Sequence, residues 1–420
     1  MNIRKVMLVL LLVLFSASCS QLSNSQLERK ILRIEEGLLT EQSDPPWKRM
    51  VLSERMAYYN VPGVSIAIVN DYQIEWTKGY GVLETGTDQA VTTNTLFQTG
   101  STVKPIVSTA ALYFVETGDL ELDRNVNDYL TSWKLPENEL TAQEPVTTRR
   151  LLSHNAGLPY IPLFGYAQGL VIPNRGQILN GNPPANSEPV LVKVIPGSQY
   201  SYSNGGYLIV EQLLEDVAGK PFDVIMEDII FGPLGLGAIT VKYPLPEDLA
   251  SQAASGHQLD GNVLPGGWHT FPEMGPGASW WATPSDLAAF YINLMLTYTG
   301  QAENIITQEM AIEMLTPQVE DRGLGPWIDD DGGDRFYFGH PGHNHGYKSY
   351  LVFYPERGQG LVIMTNSEAG DDLYNEILHS VNNEYGWLRD NTVLYSVIVA
   401  IFFIGIVAFF VLRRKRSGIN

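Results

Sequence analysis

Two blocks of strand-like sequence stand far apart in this 420-residue chain, and they constrain its fold more than any other feature. Near the start, in "VPGVSIAIVNDYQIEWTKGYGV", Val64, Ile66 and Ile68 alternate with smaller residues, "NDYQ" supplies a turn, and Ile74 to Tyr80 returns as a hairpin. Near the end, residues 323–366 are again strand-like, in "GLGPWIDDDGGDRFYFGH" and "YKSYLVFYPERGQGLVIMTN", with turns at "DDDGGD" and "ERGQG". The sequence between them changes to helical spacing. Val103, Ile106, Val107, Ala110, Ala111, Phe114 and Val115 share one helical face that Gly118 closes. Leu208, Ile209, Leu213 and Val217 mark a second helix, and "TPSDLAAFYINLMLTYTG" a third, with Pro284 early and Gly300 past its end. A mixed helical pattern over about 25–60 leads in, and a last helix is expected near 371–384. Residues 160–198, rich in Gly, Pro and Asn, read as a long loop or lid. This order predicts an α+β fold, with one antiparallel sheet from N- and C-terminal strands, flanking helices and an inserted helical subdomain. A site would lie where sheet and subdomain meet.

Charge and chain ends narrow the partners. A formal charge of −19 argues against nucleic acid, whose phosphates would be repelled. At the N-terminus Arg4 and Lys5 precede ten apolar residues, Val6 to Phe15, and then small ones, the layout of an export signal over 1–19. Cys19, the single cysteine, follows "SAS" and offers a lipid attachment site, although Ser16 stands where a lipoprotein signal carries Leu. Ordinary cleavage near Ser18 is the other reading. One cysteine excludes an internal disulfide. Val393 to Leu412 is twenty residues without a charge, followed by "RRKR". At about 1.5 Å per residue that length spans a hydrocarbon core of about 30 Å, with the cations on the cytoplasmic side. The expected organisation is therefore an exported domain over 25–388, a C-terminal transmembrane helix over 393–412 and a cytoplasmic tail over 413–420.

Three short stretches carry chemistry. In "TGSTVKP", Ser101 opens a helix and Lys104 lies three residues on, on the same face. A serine hydroxyl needs a proton acceptor to become nucleophilic, and a desolvated lysine of lowered pKa can be one, directly or through a neighbouring base. An N-cap serine beside a surface lysine gives the same spacing. In "YSYSNGGY", Tyr202 and Asn204 precede a helix. A tyrosine near a lysine cation can act as phenolate base, and the amide can orient lysine and substrate; a plain turn with a capping asparagine fits equally. In "GHPGHNHGYKS", three histidines fall within six residues, but spacings of three and two around glycine do not orient three metal ligands from one helix face. Gly342 after His340 instead lets substrate approach the backbone, with the next N–H aimed at a carbonyl oxygen. The carboxylates of "DDDGGD" suit a hairpin tip better than calcium, and His154 in "LLSHNAGLP" is read as a structural loop residue.

Taken together, Ser101-x-x-Lys104, Tyr202-x-Asn204 and His340-x-Gly342, in that order, resemble the serine β-lactamase and penicillin-binding-protein superfamily, in its class C-like branch of esterases and D-amino-acid peptidases. The resemblance runs over about residues 45–385 and includes "VPGVSIAIVNDYQIEWTKGYG", "TLFQTGSTVKP", "LLSHNAGLP" and "GASWWATPSDLAAF". It implies a cofactor-free acyl-enzyme hydrolase. Ser101 would be acylated, Lys104 and Tyr202 would manage the proton, and Asn204 would orient substrate and lysine. The backbone N–H groups of Ser101 and His343 would form the oxyanion hole. His340 replaces the lysine that β-lactamases carry in a K-T-G triplet, which argues against efficient β-lactam hydrolysis; the expected substrate is an ester, a D-amino-acid peptide or amide, or a lactam. The competing reading is a slowly acylated sensor of the same fold. The expected partners of the hydrolase are a small-molecule or peptide substrate and, through the C-terminal helix, the membrane.

Overall fold

The computed structural model describes residues 25–40, 48–160, 164–272, 280–330 and 336–387. The expected export signal, Cys19 and the expected span over 393–412 lie outside the described residues, as does most of "DDDGGD". No helix among the described residues is long and apolar enough to cross a membrane. The chain divides into two compact units, one up to Leu52 and from Glu376 onward, the other Ser53–Asn375.

In the first unit, the continuous lead-in helix expected over 25–60 is interrupted. Residues 25–35 are helical, and Leu38–Thr40 then pairs antiparallel with Lys48–Met50. Gly37 ends the helix where an added Cβ would fall 2.8 Å from Ser380 Oγ. Ser380 in turn donates to the Ile34 carbonyl, at 2.8 Å.

The second unit is α+β. Its sheet contains β1 (Gly63–Asn70), β2 (Gln73–Gly81), β3 (Trp327–Asp329), β4 (Tyr337–Asn344), β5 (Tyr347–Tyr354) and β6 (Gln359–Thr365). The order β2-β1-β6-β5-β4-β3 is antiparallel throughout, and the β6–β1 pairing (Ile363 opposite Ile66) joins the two ends of the sequence. Asp71 and Tyr72 both take positive φ in the two-residue β1–β2 turn, the backbone a tight hairpin demands. A second two-residue turn, His345–Gly346, with positive φ at Gly346, separates β4 from β5 inside what the sequence presents as one strand edge.

Five helices of this unit matter for the site: α1 (Lys104–Glu116), α2 (Thr148–Leu152), α3 (Arg175–Asn180), α4 (Asn204–Ala218) and α5 (Pro284–Tyr298). Helix α1 is buried on nearly every side from Lys104 to Leu112, so its apolar stripe understates its environment. Thr283 caps α5 through the Asp286 N–H, and Pro284 occupies the first turn. Tyr291 of α5 stacks on Phe353 of β5, with ring centroids 4.8 Å apart. Its hydroxyl donates to the Thr102 carbonyl at 2.6 Å, tying helix and sheet to the turn that bears Ser101. Helix α3 lies in the segment read as a loop. Asn174 and Gln177 form a reciprocal capping box and Gly181 closes the helix in the left-handed region.

Candidate active site

Short pairing of Phe97–Gln98 with Trp281–Ala282 brings the chain to Thr99, and a tight turn, Gly100–Val103, follows before α1. Gly100 has φ +54°, and a side chain there would strike the backbone of Gly342 and His343. Gly342 is equally constrained, because a Cβ would collide with Ser349 and the Thr99 carbonyl. Two glycines thus let the serine turn and β4 approach backbone to backbone. Ser349 Oγ and Thr102 Oγ1 both donate to the Thr99 carbonyl, at 2.6 and 2.9 Å, and fix that approach.

Four side chains meet there. Lys104 Nζ donates to Ser101 Oγ at 2.9 Å and to Asn204 Oδ1 at 2.8 Å. The Tyr202 hydroxyl donates to the same Ser101 Oγ at 2.7 Å. Lys104 is fully buried, and burial pushes its pKa well below the ordinary 10.5. Burial moves Tyr202 the opposite way, holding its phenol protonated against the smaller opposing pull of the Ser101 hydrogen bond. The sequence left a Tyr202 phenolate open; burial instead favours the neutral phenol and loosens the lysine's hold on its proton.

His340 is buried beside them, with its Nδ1 2.6 Å from the Pro341 carbonyl. That carbonyl can only accept, so Nδ1 carries the proton. Burial, then the Lys104 charge, takes the His340 pKa down to about 3, leaving a neutral ring where a K-T-G lysine would be cationic. His343 follows Gly342 and presents its backbone nitrogen to the serine turn.

Other contributors are His154, which the sequence presents as a structural loop residue, and Tyr207, Arg322 and Tyr200, which sequence reasoning did not single out. The His154 ring lies 4.2 Å from the Tyr202 ring, centroid to centroid, and its Nδ1 accepts the Ser203 N–H at 3.2 Å. Burial, followed by the Lys104 charge, holds it well below the usual histidine range. His154 takes φ +58°, a conformation that its "HNAG" surroundings hint at only weakly. Tyr207 contributes a second ring 5.1 Å from Lys104 Nζ and bonds Ser108 at 3.2 Å. Arg322 stacks its guanidinium 5.1 Å from the Tyr200 ring. All the proposed side chains except buried Lys104 line, with Arg322 and Tyr200, a cleft of about 950 Å³. No cluster of three or more metal-ligating side chains occurs among the described residues.

This arrangement offers a hydroxyl, a buried amine, a phenol and two approaching backbone segments, the parts that acyl transfer requires. Residues 49–381 match the Beta-lactamase family model, and the chain belongs to that family. Penicillin-binding protein 4 of Amycolatopsis lactamdurans is 26% identical over 346 residues, covering 79% of this chain and 87% of that one. A putative D-alanyl-D-alanine carboxypeptidase of Escherichia coli is 26% identical over 267 residues, 61% of this chain; the chain spans only 59% of that relative's length. The octameric penicillin-binding protein homologue from Pyrococcus abyssi has a similar structure, with a TM-score of 0.63 and 25% identity over 76% of this chain and 72% of that one. The chain is a serine hydrolase of this family.

Proposed function

We propose that Ser101 is the nucleophile of an acyl-enzyme hydrolysis of amides or peptides of D-amino acids. The observation that carries the reading is the convergence of buried Lys104 and Tyr202 on one oxygen, Ser101 Oγ, at 2.9 and 2.7 Å. Once neutral, Lys104 keeps an N–H on Asn204 Oδ1 and offers its lone pair to the Ser101 O–H. As Oγ attacks the substrate carbonyl, its proton passes to Nζ. The resulting oxyanion is held by the backbone N–H groups of Ser101 and His343. Collapse requires a proton on the leaving nitrogen. Tyr202 gives it, and the Lys104 ammonium makes good the loss. Water then attacks the acyl-serine and the same groups act in reverse. Asn204 orients the lysine, and His340 and Gly342 shape the approach beside the leaving group.

The names of the relatives, a penicillin-binding protein and a putative D-alanyl-D-alanine carboxypeptidase, support the D-amino-acid substrate class. Neutral His340 offers no fixed cation to a β-lactam carboxylate, which supports a peptide or amide over an antibiotic. The apolar stretches at 6–15 and 393–412 support an envelope location with a C-terminal membrane anchor and the catalytic unit outside the cytoplasm.

The test is intact-mass labelling of the full-length chain in detergent with an alkyl fluorophosphonate, beside Ser101→Ala. One adduct on the wild type and none on the variant is the expected result. A folded wild-type protein that takes no label, or a variant that keeps it, overturns the assignment of Ser101. A stable acyl adduct formed one to one from substrate, with no turnover, would favour the sensor.

A further inference from the structure

Tyr202 must keep its hydroxyl on Ser101 Oγ, yet the backbone that carries it belongs to no helix or strand. It lies just before α4, where Ser203 is extended (φ −141°) and gives the helix no side-chain cap. A residue from another segment, His154, holds this stretch at three points. The His154 carbonyl accepts the Ser201 N–H at 2.7 Å, and its Nδ1 accepts the Ser203 N–H at 3.2 Å. Its ring packs on the Tyr202 ring, 4.2 Å between centroids and tilted by 34°. Both chain neighbours of the tyrosine, and the phenol itself, are therefore located by one residue.

His154 is firmly placed in turn. It is buried two residues after the end of α2, in the left-handed conformation. The Tyr207 ring lies 5.4 Å from its own, and the Tyr200 ring meets it edge-on at 6.2 Å. Tyr207, on α4, donates to the Leu152 carbonyl at 3.1 Å and ties the helix to this turn. Because Nδ1 accepts, the neutral ring carries its proton on Nε2, which is buried without a hydrogen-bond partner. An orphaned ring N–H costs stability, so polar bonding alone does not account for an imidazole at this place. What the imidazole adds is a flat face against the phenol. Tyr202 lines the cleft and His154 does not, so any effect of His154 on the reaction passes through its neighbours.

We infer that His154 is a positioning residue for the reaction, keeping the Tyr202 hydroxyl in reach of Ser101 Oγ and of the leaving nitrogen. The inference rests on the proposed role of Tyr202 as proton donor. Its expected size follows from geometry, since a misplacement of about 1 Å at a transferring group costs about 10²-fold in rate.

The experiment is a double-mutant cycle on the full-length protein. Active sites are counted by fluorophosphonate labelling, and turnover per site is read on D-alanine amide and D-alanine p-nitrophenyl ester. His154→Asn suits the left-handed backbone and removes the ring. It should lower kcat on the amide by about 10²-fold and on the ester by less than about threefold, with KM nearly unchanged. In a Tyr202→Phe background the same change should add less than about threefold on the amide, because its effect passes through the tyrosine. His154→Phe restores a ring without the nitrogens and should recover part of the loss; it also supplies a second cycle where His154→Asn does not fold. A purely structural residue would lower the number of labelled sites and leave kcat per site unchanged. That result, or a full additional loss in the Tyr202→Phe background, overturns the inference alone. A wild type that takes no label overturns the reading of Ser101. Equal losses on amide and ester in Tyr202→Phe by itself overturn the donor role, and the additivity of the cycle then decides alone whether His154 acts through Tyr202.

Discussion

Lys104 and Arg175 are both taken largely out of water in this fold, and they fare in opposite ways. Lys104 is wholly buried against a hydroxyl and an amide oxygen, Ser101 Oγ and Asn204 Oδ1, and burial drives its pKa down. Arg175, on α3, is mostly buried against two carboxylates of α4, reaching Glu211 at 2.8 Å and Glu215 at 2.5 Å. It remains a cation, and the pair of carboxylates raises its pKa despite burial. The difference lies in the company each keeps. A basic group buried among neutral dipoles sheds its proton readily and becomes a reagent; one buried among acids keeps it and becomes a clamp. Both groups bear on α4: Lys104 meets its first residue, Asn204, and Arg175 grips its middle.

The largest effect expected from breaking this contrast is on the lysine. Lys104→Met should lower turnover by about 10³–10⁴ in steady-state assays, because the serine loses its proton acceptor. The unfolded lysine holds its proton up to about 10.5 and the folded one releases it sooner, so the unfolded state binds more protons between those two points. Wild-type stability should therefore rise with pH across that window, and Lys104→Met should flatten the rise in denaturant melts. An unchanged slope would mean that the amine stays charged.

Tyr202→Phe comes next, at about 10²–10³ on an amide substrate. The effect should be much smaller on a p-nitrophenyl ester, whose leaving group departs without a proton. Equal losses on both substrates would return Tyr202 to the role of general base, the alternative its sequence context leaves open.

The comparison also shows what a sequence displays and what it hides. Ser101 and Lys104 are separated by one helical turn, and Tyr202 and Asn204 by one residue, so local spacing announces them. The antiparallel sheet is announced by alternation at both ends of the chain. Contacts of His154 with Tyr202, and of Arg322 with Tyr200, join residues tens or hundreds of positions apart, and no periodicity records them. Helix α3 was hidden for another reason. Pro173, Gly176 and Gly181 give its surroundings a loop composition, although Asn174 and Gln177 at capping spacing were readable. The lead-in pattern over 25–60 shows the converse. Its apolar residues fit a helix, and pairing of Leu38–Thr40 with Lys48–Met50 overrides that preference. The directions of the Lys104 and Tyr202 pKa shifts were hidden too, since burial sets them and the motif does not.

On the clamp, Arg175→Met should cost about 3 kcal/mol of stability, read as a lower urea midpoint at unchanged slope. Buried Glu211 and part-buried Glu215 would then remain without their cation, while turnover per folded molecule should persist. A loss of activity without a loss of stability would show that α3 serves the chemistry directly.

The smallest effect tests how the clamp shares its charge. Burial raises Glu211 from its ordinary 4.5 to about 7, against the pull of Arg175, while Glu215 is more exposed and already engages the guanidinium. Between those two values the folded protein holds a proton on Glu211 that the unfolded chain has released. Glu211 thus contributes stability that is full below pH 4.5 and is lost as pH rises through 7. Glu211→Gln keeps the shape and removes the titration. Near pH 5 it should change stability by less than about 1 kcal/mol, and by pH 8 it should be the more stable of the two proteins. If melts at the two pH values instead show Glu211→Gln losing ground as pH rises, Glu211 is ionised throughout. The clamp is then a full ion pair, and Arg175 needs both carboxylates to remain folded in place.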